Sequence, residues 1–280
     1  MTIRALTMSG LLLLLAGVRA QAEPAGTAPE ASPLEILQSA FDRMFNYPSV
    51  RSIQLRIHRR GHRVTYRAFD LVYKKVDGRG RTLLRFTEPE YLRGNALLVL
   101  EVSGGQNDTW IYQKELRRPR RVVSAQKGDS FYGSDLSFED LEHHDWREFE
   151  LKRLPDSVVR HRKVHVIDAR APARSQYAHL RAFVEKGRRA LLRLDLFKEG
   201  HEPVKSFRLE PEEIHEEHGL LKPERMWVVP AGRDASTEVV FRRIEDDPDI
   251  TESVFATMRL ERSGENLFEL VERLRREGAH

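Results

Sequence analysis

The chain has 280 residues, 40% hydrophobic and 32% charged, with 47 Lys and Arg against 43 Asp and Glu and a formal charge of +4. That balance is too apolar for a disordered chain and too polar for a protein with many membrane spans. The absence of cysteine excludes disulfides, thiolate catalysis, Cys-type zinc sites and iron–sulfur clusters, and the weak positive balance implies no nucleic-acid partner.

Residues 1–22 read as a cleavable signal peptide. Arg4 supplies the positive start, Leu11 to Val18 an apolar run, and Ala20-Gln21-Ala22 an A-x-A cleavage site. The run is shorter than the ~20 residues of a membrane span. Export to the periplasm, with cleavage near Ala22, is the expectation. Residues 23–32, rich in Pro and Ala, read as a flexible linker.

A helix is predicted from Pro33 to Tyr47. Ser32 and Glu35 have capping-box spacing and Pro33 suits the first helical position. Leu34, Leu37, Phe41, Met44 and Phe45 form its apolar stripe, and Tyr47-Pro48 ends it. Strand patterns follow. Ile53, Leu55 and Ile57 alternate with Gln54, Arg56 and His58. Val64, Tyr66 and Ala68 alternate, then Phe69, Leu71 and Tyr73 do so on the opposite parity, which predicts a bulge and a curved sheet. Thr82, Leu84 and Phe86 continue the pattern after a turn at 77–80. Ten further short strands are predicted at 96–102, 109–113, 120–123, 147–154, 163–169, 179–185, 190–198, 204–209, 224–229 and 237–244, spaced as in an antiparallel meander.

Two more helices are predicted. Ser134–His143 is short, with capping-box spacing between Ser137 and Asp140. Near the end of the chain, Leu267, Leu270, Val271 and Leu274 make a stripe, Glu269 and Arg273 stand at i,i+4, and Gly278 can close the helix. One curved antiparallel sheet with three amphipathic helices covering one face makes an α+β fold.

Catalytic patterns are missing. His215-Glu216-Glu217-His218 spaces its histidines by three where a zincin helix needs four, so it reads as a solvated hairpin tip. His143-His144-Asp145 reads as a polar helix end. No nucleophile elbow, P-loop or dinucleotide fingerprint occurs, and no carboxylate pair stands out. No cofactor or metal is expected. Four arginines, Arg117, Arg118, Arg120 and Arg121, flank Pro119 and suit a phosphate or an acidic partner, or simply a charged sheet edge.

The segment 83–141 carries a resemblance. Phe86-Thr87-Glu88-Pro89, Arg93-Gly94-Asn95-Ala96-Leu97-Leu98-Val99, Asp108 to Tyr112, Leu116 to Arg121 and Gly133 to Leu141 resemble the outer-membrane lipoprotein-sorting protein family. That family is LolA-like, similar in fold to LolB and to the LppX/LprG lipid carriers. The likeness spans about residues 33–262. The chain departs from the family at Gln113-Lys114-Glu115 and adds a helix in residues 263–280.

The resemblance implies an incomplete β-barrel, its concave face covered by helices, around an apolar cavity for acyl chains of a lipid or lipoprotein. Phe41, Phe45, Trp110, Tyr112, Phe131, Tyr132, Phe138 and Leu141 are the candidate cavity or lid residues. The four arginines are candidates for headgroup or partner docking. The implied role is a monomeric, non-enzymatic carrier that passes acyl chains toward the outer membrane, with transient membrane contact and an inner-membrane exporter of the RND/MMPL type as partner. The alternative is a periplasmic sensor similar to RseB/MucB, which binds a membrane regulatory protein.

Overall fold

The computed structural model describes residues 31–247 and 249–278. The signal peptide, its cleavage site and nearly all of the linker lie outside them. Helix α1 spans Pro33–Met44. Ser32 Oγ accepts from the Glu35 N–H at 3.2 Å and Glu35 Oε2 accepts from the Ser32 N–H at 2.7 Å, so the expected capping box forms.

Fifteen strands follow: β1 (Ser49–Arg59), β2 (Thr65–Val76), β3 (Arg79–Glu88), β4 (Ala96–Leu100), β5 (Asp108–Gln113), β6 (Arg118–Arg121), β7 (Glu150–Val159), β8 (Arg162–Arg170), β9 (His179–Glu185), β10 (Leu191–Phe197), β11 (Lys205–Arg208), β12 (Ile214–Glu217), β13 (Leu220–Pro223), β14 (Arg225–Pro230) and β15 (Ala235–Asp246). Helix α2 (Leu267–Gly278) ends the described chain. Thirteen strands form one sheet in the order β6-β5-β4-β3-β2-β1-β15-β14-β11-β10-β9-β8-β7, antiparallel throughout and not closed; β12 and β13 make a separate hairpin. Most of the predicted strands appear within a few residues of their expected limits. The register between β2 and β3 shifts between Ala68 and Phe69, where the sequence parity changes. Further shifts occur at Ser52/Ile53, Leu154/Ser157 and Leu191/Arg193. Each increases local twist and bends the sheet.

The strand order imposes one long connection. The chain spreads outward from β1 to the β6 edge, then must reach the opposite edge to begin β7 and return inward to β15. Residues 122–149 make this crossing over the inner face of the sheet. Phe131 meets Phe69 and Phe86 with ring centroids 6.1 and 5.5 Å apart. Asp135 accepts from Arg59 of β1 at 2.9 Å and from Thr237 of β15 at 2.7 Å. The side chain of Trp146 lies 4.8 Å from the Phe41 ring of α1.

Two expectations need correction. Residues 134–143 do not form a helix; only Glu139–Leu141 turns, as a single 3-10 turn. The signals at its start are real, since Asp140 N–H donates to Ser137 Oγ and Ser137 N–H to Asp140 Oδ2. What is lacking is an apolar stripe of helical spacing behind them, and the crossing must stay extended to span the sheet. The last helix does not join the others on the inner face. Leu267, Leu270, Val271 and Leu274 pack with Val50, Val72, Leu83 and Leu98, whose neighbours Leu71 and Tyr73 point to the other side. The Glu269–Arg273 pair does not form either; Arg273 turns to Glu265 and Glu277.

Phe131 is fully buried and touches four aromatic rings. Phe131→Ala is expected to cost about 3–5 kcal/mol, read as a lower urea midpoint at unchanged slope. Val158→Ala, on the β7 edge and 63% exposed, should move the midpoint by less than about 0.5 kcal/mol.

Candidate functional site

Between the crossing segment, α1 and the inner face lies a cavity of about 190 Å³. Phe41 and Phe45 of the α1 end, Leu71 and Tyr73 of β2, Leu141 of the crossing, Leu191, Leu194 and Leu196 of β10, Phe207 of β11 and Met226 of β14 supply most of its wall. Thr82 of β3 reaches the same space. β3 and β10 stand six strand spacings apart in the sheet order, about 29 Å if the sheet were flat. Both touch one small cavity, so the sheet curls around it.

The roof of the cavity is polar where it meets the walls. His143 sits against the Tyr73 ring, centroids 4.2 Å apart. Its Nδ1 lies 2.9 Å from Asn46 Oδ1 and its Nε2 3.0 Å from Thr82 Oγ1. A neutral ring satisfies both contacts: Nδ1–H donates to the Asn46 oxygen and the Thr82 hydroxyl donates to Nε2. Burial lowers the His143 pKa to about 3 and that of His144 to about 4; both rings are therefore uncharged at neutral pH. His144 is held between Trp146 and Phe149, each 5.5 Å away.

Three acidic residues of the crossing beside the cavity are tied down. Asp140 accepts from Tyr177 Oη at 2.8 Å and pairs with Lys205 of β11. Glu142 accepts from Lys127 at 2.8 Å, Asn107 at 3.0 Å and Thr109 of β5 at 3.1 Å. Glu139 accepts from the Gln176 N–H at 2.9 Å and from the Ser175 hydroxyl; burial still pushes its pKa up. The roof is thus fastened at both halves of the sheet through charge-assisted hydrogen bonds.

Among the residues expected from sequence, Phe41, Phe45 and Leu141 line the cavity. Phe131, Tyr132 and Phe138 instead form an aromatic cluster with Phe69 and Phe86 that anchors the start of the crossing. Trp110 and Tyr112 face the other way and pack in the α2 layer; in β5 it is Thr109 that reaches the crossing. Arg118, Arg120 and Arg121 lie exposed on edge strand β6, with Arg117 in the turn before it. Arg121 pairs with Asp108 and Arg120 bonds Gln126 at 3.1 Å. His215–His218 occupies the exposed β12–β13 hairpin, where His215 pairs with Glu224.

Sequence reasoning missed the far wall on β10, β11 and β14, and the polar set Asn46, Arg51, Thr82 and His143. Arg51 was visible: it shares the parity of Ile53, Leu55 and Ile57, so it stands on their side of the strand, a charge among apolar residues with only the strand-end Arg59 beside it.

A family model described only as "-like: Uncharacterized protein" matches residues 78–262. No curated protein matches the chain. Among solved structures, a putative outer membrane lipoprotein-sorting protein domain from Vibrio parahaemolyticus aligns with a TM-score of 0.74 at 20% identity, covering 81% of this chain and 97% of that one. A DUF1329 family protein from Desulfovibrio piger aligns at 0.73 and 21%, covering 81% and 95%. LolA superfamily protein NE2245 from Nitrosomonas europaea aligns at 0.68 and 14%, covering 82% and 100%. The chain belongs to the family whose model spans 78–262, and its open, curled sheet is the LolA-like fold of the lipoprotein-sorting proteins.

Proposed function

We propose that this chain is a non-enzymatic periplasmic carrier that shelters acyl chains of a lipid or lipoprotein and moves them toward the outer membrane. The observation that carries the reading is the apolar cavity under a tethered polar roof. An acyl chain in water costs about 0.8 kcal/mol per methylene, so a carrier needs a dry wall such as the one built by Leu71, Leu191, Leu194, Leu196, Phe207 and Met226. The Vibrio parahaemolyticus domain described as a putative outer membrane lipoprotein-sorting protein shares the fold and supports the same reading.

The cavity of about 190 Å³ is smaller than the roughly 300–1,000 Å³ of ordinary small-molecule sites. A chain of any length enters only if the roof or α1 shifts. The fastening suits this. Salt bridges and hydrogen bonds exchange partners with water at small net cost, whereas the larger apolar cluster of the α2 layer on the other face does not. The A-x-A pattern at residues 20–22 supports export. No described helix is long and apolar enough to cross a membrane. An inner-membrane exporter of the RND/MMPL type would supply the cargo, and Arg117 and Arg118, exposed on the β6 side, would meet its acidic residues or lipid phosphates.

Native mass spectrometry of the protein purified from the periplasm of an expressing bacterium is expected to show bound lipid. Leu194→Trp, which fills the wall from β10, should remove that lipid and weaken fatty-acyl probe binding at least tenfold with little change in Tm. Wild-type protein that carries no lipid and rejects such probes would sink the carrier reading.

The roof should loosen in acid. His143 and His144 have folded-state pKa values far below the ordinary 6.5, so the unfolded chain binds protons that the folded one does not. Their contribution is complete above pH 6.5 and is lost as the pH falls through about 4 for His144 and about 3 for His143, with a slope of up to about 1.4 kcal/mol per pH unit for each ring. Amide exchange at residues 138–144, corrected for intrinsic rates, is expected to speed up between pH 7 and pH 5. A His143→Gln, His144→Phe double variant should flatten that dependence.

A further inference from the structure

We propose that the cavity is selective for a single-chain amphiphile with one anionic head, a long-chain carboxylate, and that Arg51 is the counter-ion of that head. The inference rests on the carrier reading and adds the chemical class of the ligand.

Arg51 is 5% exposed and lies in the cavity wall. Its Nε donates to Ser49 Oγ at 2.9 Å and its Nη2 to the Phe45 carbonyl at 2.7 Å. Its guanidinium carbon stands 4.8 Å over the Tyr47 ring. These partners are all neutral, and they leave Nη1 without a hydrogen bond. The two carboxylates that line the cavity are already engaged, Asp140 by Lys205 and Tyr177, Glu142 by Lys127. A guanidinium cannot escape burial by losing its proton, and a buried charge without a counter-charge is among the more destabilising features a fold can carry. Nothing in the described protein answers it; an incoming anion would.

A second group points to the same place. Tyr73 is 1% exposed, lines the cavity, and its hydroxyl has no hydrogen-bond partner. It stands opposite Ser49 while Leu71 stands opposite Arg51, so Tyr73 and Arg51 are diagonal neighbours on one face of the β1–β2 pair. A hydroxyl donor and a guanidinium N–H that both lack a partner, on neighbouring residues of one cavity wall, suit the two oxygens of one carboxylate. His143 is kept neutral by its burial against Tyr73 and brings no second positive charge. One cation therefore selects one negative charge. The small volume favours one slender chain over a branched diacyl lipid.

The test compares dodecanoate with 1-dodecanol, which share the chain and differ in the head, by calorimetric titration of the full-length exported protein at pH 8. Wild type is expected to bind dodecanoate at least tenfold more tightly. Arg51→Met should bind both with the affinity wild type shows for dodecanol. Tyr73→Phe, which deletes an unbonded hydroxyl and so leaves folding intact, should shrink the preference two- to fivefold. It decides the matter should Arg51→Met not fold. Equal binding of both ligands by wild type, or an undiminished preference in Tyr73→Phe together with any folded Arg51→Met, overturns the headgroup assignment and leaves the carrier standing. Failure of wild type to bind either ligand overturns both.

Discussion

A chain that lays down six strands outward from the middle of a sheet and then continues at the far edge has to travel back across that sheet. The order β6…β1-β15…β7 makes this unavoidable, and residues 122–149 perform the crossing. Everything distinctive about the inner face follows. The crossing brings backbone polar groups and acidic side chains over a surface rich in leucine and phenylalanine. Each must find a partner or remain in water. The partners come from widely separated parts of the chain: Arg59, Lys205, Thr237, Tyr177, the Ser175 hydroxyl and the Gln176 N–H. The result is a roof attached at its polar edges and hollow at its apolar centre.

The two faces of the sheet are consequently built from different physics. On the outer face, α2 and residues 250–260 bury a continuous apolar layer, and Arg85 reaches from β3 to donate to the Glu265 carbonyl at 2.9 Å. Separating that layer exposes hydrocarbon and costs roughly 25 cal/mol for every Å². On the inner face the crossing is held by the Phe131 cluster at its start and, around the cavity, by hydrogen bonds that water can replace at a net cost of roughly 0.5–1.5 kcal/mol each. The cavity lies on that hydrogen-bonded side.

How much of this the sequence disclosed depends on range. Local alternation located nearly every strand, and the parity change at Ala68/Phe69 marked a real register shift. The pairing of β1 with β15, about 190 residues apart in the chain, has no local signature, so the position of the crossing was not legible. That is why Trp110 and Tyr112 were placed at the cavity: alternation tells that they share a face, not which layer covers it. The helix expected at 134–143 shows the converse. Ser137 and Asp140 form their reciprocal bonds, yet a start signal without a following stripe yields one turn. Arg51 was the clearest clue left unread, a charge in register with Ile53, Leu55 and Ile57.

Closing the sheet into a barrel would remove both free edges, and the structure shows why it stays open. β6 contains Pro119 and β7 contains Pro155, beside the register shift at Leu154/Ser157. Neither proline can donate to a new ladder. Arg118, Arg120 and Arg121 add positive charge along the β6 edge, which discourages pairing with another chain as well. The sheet therefore stays open by construction: its terminal strands carry the residues least able to pair, and the apolar wall lies between them, beneath the crossing.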